Sequence, residues 1–169
     1  FNQHYPVPAV PQLLIENFPA YYDLPTQPAP ARAPGPPRLV YLGMLGPGRG
    51  YEELLSAFAT LGADYQLDFV GWGVPAYLQA LHEQIRRNPA GNVRLLPAVP
   101  YAEIPQLLRG YDAGILLYQN TSLNNYYCAP NKVYDYLMAG LPVVANDYPG
   151  LRQLLAHHQV GCCIGEVSA

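Results

Sequence analysis

"CAPNKVYDYLMAGLPVVAND", residues 128–147, runs from a helix into a strand. Pro130 stands near the helix start, where a missing N–H does no harm, and Gly140 follows the last helical residue as a stop. "PVVAN" (142–146) then reads as a short buried strand. Lys132 and Asp135 lie three apart near the start of this helix, so they share one face. Charged residues amount to only 12% of the chain, so two of them opening an apolar helix ask for a reason. One reading is a surface ion pair worth a few tenths of a kcal/mol. The other has Asp135 accepting bonds from a ribose diol while free amides near Asn131 and Lys132 hold a phosphate. Local physics alone weighs the two evenly.

The same strand–helix pairing repeats upstream and downstream. Strands are expected at 38–43, 65–71, 92–97, 112–118 and in the closing "GCCIG"; helices at 50–61, 75–87, 102–111, 130–139 and 150–158. In the first helix Leu54, Leu55 and Phe58 should face inward. Alternation with short connections predicts an α/β fold: a Rossmann-like, doubly wound parallel sheet with helices on both faces. Residues 25–37, "PTQPAPARAPGPP", are rich in proline and suit a linker or exposed loop. The expected organisation is therefore an interdomain or linker segment over 1–37 and a ligand-binding domain over 38–169. The chain starts at Phe1 in what reads as a loop, and a longer parent protein is expected.

Sheets of this kind bind ligands beyond the carboxyl ends of their strands. That rule selects "GMLGPGRG" (43–50), "GWG" (71–73), "PAVP" (97–100), the 118–131 loop with its following helix, and "ANDYPG" (145–150). The glycines of the first let backbone approach a phosphate, with Arg49 close by. Its spacing fits neither G-x-G-x-x-G nor the phosphate loop, and no acid ends the second strand, which counts against a dehydrogenase. Trp72 reads as a packing anchor on its turn, Asp147 as a cap or turn former, and His82, His157 and His158 as helix-surface residues.

A net charge of −3 gives no footprint for nucleic acid, and the longest apolar runs fall far short of a membrane span. Cys128, Cys162 and Cys163 form neither a disulfide framework nor a zinc spacing. A cytoplasmic protein is expected, with a peripheral place at the inner membrane face as a variant. No D-x-D pair is present, so no metal is expected.

Taken in order, these motifs resemble the donor-binding, C-terminal half of GT-B glycosyltransferases, in particular the family 4 group. The resemblance runs from about Arg38 to Gly165. It implies that Asp135 holds the ribose, that amides at Asn131 and Lys132 hold the pyrophosphate, and that Arg49 binds the diphosphate. Gly43 and Gly71 fall in the matching "GMLGPGRG" and "FVGWG" turns, and "NVRLLPAVPYAEIPQLLRGYDAGILL" (92–117) matches the segment near which the base binds. Met44 stands where the family has its first basic residue, and Tyr127 where it has its first acid. The implied activity is sugar transfer from a UDP- or GDP-linked nucleotide-sugar, with no other cofactor. The acceptor, a glycan or lipid, would sit on an N-terminal domain, without which turnover should be small. A nucleotide-sugar 2-epimerase and a non-catalytic nucleotide-binding module are the alternatives.

Overall fold

The computed structural model describes residue 13 and residues 18–22, 34–128 and 130–165. Most of the expected interdomain or linker segment over 1–37, including most of the proline-rich stretch, lies outside these residues. The ordered pattern begins at β1 (Arg38–Leu45) and continues through α1 (Tyr51–Leu61), β2 (Gln66–Gly73), α2 (Pro75–Arg87) and β3 (Val93–Pro97). It proceeds through α3 (Ile104–Leu108), β4 (Ala113–Leu116), α4 (Leu123–Tyr126), α5 (Asn131–Met138), β5 (Val143–Asn146), α6 (Pro149–His158) and β6 (Gly161–Ile164). The strands form one parallel sheet in the order β3-β2-β1-β4-β5-β6, the doubly wound arrangement the alternation predicts.

Side chains alternate across the strands and feed two cores. Tyr41, Phe69 and Ile115 pack with Tyr51, Leu54 and Phe58 of α1 and Leu81 of α2. On the other face Val40, Leu42, Val70, Leu116 and Val143 pack with Leu108 of α3, Val133 and Tyr136 of α5 and Leu151 of α6. Leu54 and Phe58 are buried as expected, whereas Leu55 is only half-buried. Beside the second core, the Phe18 ring meets Tyr134 edge-on at 5.1 Å.

The direction of winding reverses between β1 and β4, and there the two strands part early. Their pairing covers Leu39 with Ala113 and Val40 with Gly114. Just beyond it, the fully buried Tyr136 fills the gap with its hydroxyl. This oxygen accepts from the Leu42 amide at 2.8 Å and faces the Val40 and Ile115 carbonyls at 3.3 and 3.2 Å. Its ring lies so close to Gly114 that a Cβ there would stand 2.3 Å from a ring carbon. A glycine on β4 and a tyrosine on α5 thus let helix and sheet approach closely while the strand ends diverge.

Several expectations change. β1 runs on to Leu45 because its ladder with β2 continues through Met44–Trp72 and Leu45–Gly73. The helix expected over 102–111 is a 3₁₀ turn at Tyr101–Glu103 followed by the five residues of α3, after which Gly110 and Tyr111 donate to Leu107 and Leu108 in tight turns. The polar loop contains α4, which Ser122 caps by accepting from the Asn125 amide at 3.2 Å. Trp72 is not a packing anchor: it is 61% exposed at the end of β2. Asp147 does not cap α6, whose first turn is led by Tyr148; it pairs instead with the Arg152 guanidinium one turn on.

Candidate nucleotide-binding site

The loops after β1 and β4 and the start of α5 meet over the gap between the two strands. Gly43 has φ +114°, a conformation an L side chain rarely adopts, and the Lys132 side chain of α5 lies over the place its Cβ would take. The loop that follows is held to the β4 side by the Gln119 amide, which donates to the Gly48 carbonyl at 3.0 Å. Arg49 leaves this loop with its guanidinium carbon 4.4 Å from the centre of the Tyr118 ring. Lys132 reaches the same ring from α5, its Nζ 5.7 Å from the Tyr118 centroid and 4.1 Å from that of Tyr41. Two basic side chains therefore converge on one aromatic ring.

Tyr118 is fixed for this task by its own backbone. Its amide donates to Asn146 Oδ1, and its carbonyl accepts from the Tyr148 hydroxyl at 2.7 Å. The ring is buried, and burial pushes its phenol up to about 12, so it offers the cations a neutral face and no anion. Among the described residues no carboxylate lies within ion-pairing distance of either Arg49 or Lys132. The ion pair considered between Lys132 and Asp135 is absent.

Helix ends nearby differ in what they offer. The first turn of α1 carries Glu52 and Glu53, which place negative charge at its amide end. α5 has no acidic residue in its first turn and no side chain capping it. The amides of Asn131 and Lys132 are the first two of the helix and have no partner within it, while that of Val133 turns back to the Pro130 carbonyl at 3.1 Å. Asn131 itself is exposed. An anion near this end would meet two amides and two cations.

One turn further along α5 is Asp135, 5% exposed. Tyr101, itself 52% exposed, donates its hydroxyl to Asp135 Oδ1 at 3.3 Å, and Tyr22 donates to the Asp135 carbonyl at 3.0 Å. Burial lifts the Asp135 carboxyl above the ordinary range, and the Tyr101 hydrogen bond offsets part of that rise. Gly71 is the register partner of Gly43 on β2 and is buried. The structure thus brings Gly43, Arg49 and Lys132 together, sets Asn131 at the helix mouth, and keeps Asp135 inward under Tyr101. Met44, one residue before the end of β1, and Tyr127, just after α4, are both exposed. Tyr41, Tyr118, Asn146, Tyr148 and Tyr101 belong to the same site. Tyr118, Asn146 and Tyr148 lie in stretches the strand-end rule selects, but no spacing singles out these side chains, because what they touch is decided by other strand ends and loops.

Among the described residues no group of three His, Cys, Asp or Glu side chains could hold a metal ion, and no helix is long and apolar enough to cross a membrane.

Comparison with known proteins follows the same lines. The family described as "Glycosyl transferases group 1" matches residues 36–169. No curated protein matches the chain. Among solved structures, Anabaena HepE in complex with UDP and glucose superposes with a TM-score of 0.62 at 24% identity, over 78% of this chain and 35% of that one. AviGT4, a glycosyltransferase involved in avilamycin A biosynthesis, gives 0.61 at 22%, over 88% and 41%. WaaG, a glycosyltransferase involved in lipopolysaccharide biosynthesis, gives 0.59 at 21%, over 79% and 35%. These likenesses are of fold, and the chain spans well under half the length of each.

Proposed function

This chain belongs to the group 1 glycosyl transferases, and from that premise we propose that it binds the nucleoside-diphosphate end of a nucleotide-sugar for a glycosyl transfer completed with a further N-terminal domain. One observation carries the reading: Arg49 and Lys132 meet over Tyr118 at the reversal point of the sheet, unpaired with any carboxylate of the described residues, beside the open end of α5. A diphosphate supplies the charge this cradle lacks.

In this reading each group has one task. The Arg49 guanidinium and the Lys132 side chain offset charge growing on the departing diphosphate as the bond to the sugar breaks. Amides of Asn131 and Lys132 donate to its oxygens at the helix end. Asp135 receives the ribose hydroxyls, which replace the single long bond from Tyr101. Gly43 leaves room for the Lys132 side chain, and Gly71 lets β2 lie against the Gly43 carbonyl, which a Cβ there would strike. HepE is seen with UDP and with UDP-glucose, which supports a UDP-linked donor, with GDP as the other candidate. No metal or further cofactor is assigned a task. Acceptor recognition, by a glycan or lipid, falls to the N-terminal domain. A cytoplasmic place, at or near the inner membrane face, fits a donor of this kind. The family match does not favour the epimerase or the non-catalytic module.

Titration calorimetry with UDP and GDP tests the reading. Saturable binding is expected, weakened in Arg49→Ala by about 10- to 100-fold, the loss of one charge-assisted phosphate bond at roughly 1.5–3 kcal/mol. Absence of binding at millimolar nucleotide, or equal binding by Arg49→Ala, refutes it.

A further inference from the structure

Lys132 is the sole lysine of the sequence, and it stands where a charged amine is hard to keep. The residue is half-buried, with Nζ against the Tyr41 ring and 3.5 Å from where a Cβ on Gly43 would lie. Every element packed around it presents a group to it. β1 offers the Tyr41 ring, itself stacked edge-on against Tyr51 of α1 at 5.0 Å. The loop after β1 offers the Arg49 guanidinium, and the end of β4 offers Tyr118. The segment before α5 offers the Cys128 thiol, while α5 itself carries Tyr136 and Asp135.

None of these gives the amine a counter-charge. Burial pushes the Cys128 thiol up to about 11 and raises Tyr41, Tyr51, Tyr118 and Tyr136, so all stay neutral at physiological pH. The Asp135 carboxylate is engaged with Tyr101, and the one strong charge close to the amine is a second cation. Burial first, and the Arg49 guanidinium second, push Lys132 down to about 7.

We propose that a diphosphate enters this cradle together with a proton, which Lys132 takes up: the empty cradle sets the amine between two rings and beside a guanidinium with no carboxylate next to it, and the bound anion supplies the counter-charge. This rests on the nucleotide reading and deepens it. The proton comes from solvent or buffer and forms an N–H bond on the free Nζ lone pair, with no other bond changed. The sign follows from the site. A dianionic neighbour favours the ammonium, so binding raises the midpoint that the empty site holds down. Affinity must then weaken as pH rises above the empty-site midpoint, by about tenfold per pH unit until the bound midpoint is reached. The Arg49 guanidinium over the same Tyr118 ring gives the cradle a second basic group beside the titrating amine.

A sole lysine makes the test direct. The full chain carrying ε-¹³C-lysine gives one side-chain signal, followed between about pH 5 and 10 with and without saturating UDP or GDP. Calorimetric affinities are measured at the same pH values. A midpoint of about 7 in the empty chain, a rise of two or more units with nucleotide, and the tenfold-per-unit decline are expected. In Lys132→Arg the decline should flatten, which separates lysine uptake from protonation of the nucleotide itself. A midpoint of about 10 in the empty chain overturns the proposal even if nucleotide binds. Saturable binding with an unmoved midpoint also overturns it. No binding at millimolar nucleotide refutes the nucleotide reading itself, and the coupling with it.

Discussion

Tyr136→Phe removes a single oxygen from the point where β1 and β4 part. The Leu42 amide now has that oxygen as its acceptor at 2.8 Å, and the hydroxyl hydrogen is shared between the Val40 and Ile115 carbonyls at 3.3 and 3.2 Å. The two carbonyls lose a long bond each, which matters little because each keeps a second lone pair. The amide has no second acceptor in reach of water, since Leu42 and Tyr136 are both buried. Leaving it unmet costs about 1–3 kcal/mol, which for a domain of this size lowers Tm by roughly 3–10 °C. Urea unfolding followed by far-ultraviolet circular dichroism should show the midpoint falling with an unchanged slope, because the exposed area is the same. Gly114→Ala attacks the same contact from the sheet. Its Cβ would meet Tyr136 ring carbons at 2.3, 2.4 and 2.7 Å, so α5 must shift, at a loss of about 3 kcal/mol or more. α5 carries Asn131, Lys132 and Asp135, and nucleotide affinity should fall with it. A Tyr136→Phe variant within about 0.3 kcal/mol of the parent would refute the bridging role of the hydroxyl.

Two further outcomes concern the other end of the sheet. Asp68, 1% exposed, accepts from Arg94, Tyr111 and Arg38; burial alone would raise its carboxyl, but these bonds outweigh it and hold it below the usual range. Its contribution is therefore present above the unfolded value of about 3.9 and is lost as pH falls through the lower folded value, so acid unfolding should steepen below about pH 4. Asp68→Asn should lose about 2–3 kcal/mol at pH 7 by chemical denaturation, less than a fully enclosed pair because both guanidiniums keep contact with solvent. Asn92→Ala removes the Nδ2 that donates to the Phe58, Gly62 and Tyr65 carbonyls at 2.9, 2.6 and 3.0 Å; a loss of about 1–3 kcal/mol is expected, and protection of the 58–65 amides in hydrogen exchange should drop.

Much of this architecture is written in local chemistry. The helix from Pro75 to Arg87 has the bounds its apolar spacing implies, and Gly140 takes the positive φ that a stop after α5 requires. Where local signals mislead, a long-range partner is the cause. Continued pairing with β2 extends β1 past Gly43, and a guanidinium claims Asp147 before it can cap a helix. Trp72 has the composition of an anchor, but it stands 61% exposed at the end of its strand.

Period, turn residues and helix stops determined from the chain alone that a parallel, doubly wound sheet would form, and that a basic loop and an amphipathic helix start would lie at its carboxyl edge. Those are properties of neighbours within a few residues, and backbone sterics and side-chain period act at that range. Only the folded chain decided that Lys132 leaves its i,i+3 partner for two aromatic rings and a second cation. The rings come from β1 and from the end of β4, some 91 and 14 residues away along the chain. Proton affinity depends on which groups surround an amine in space, and that distance cannot be read from their order.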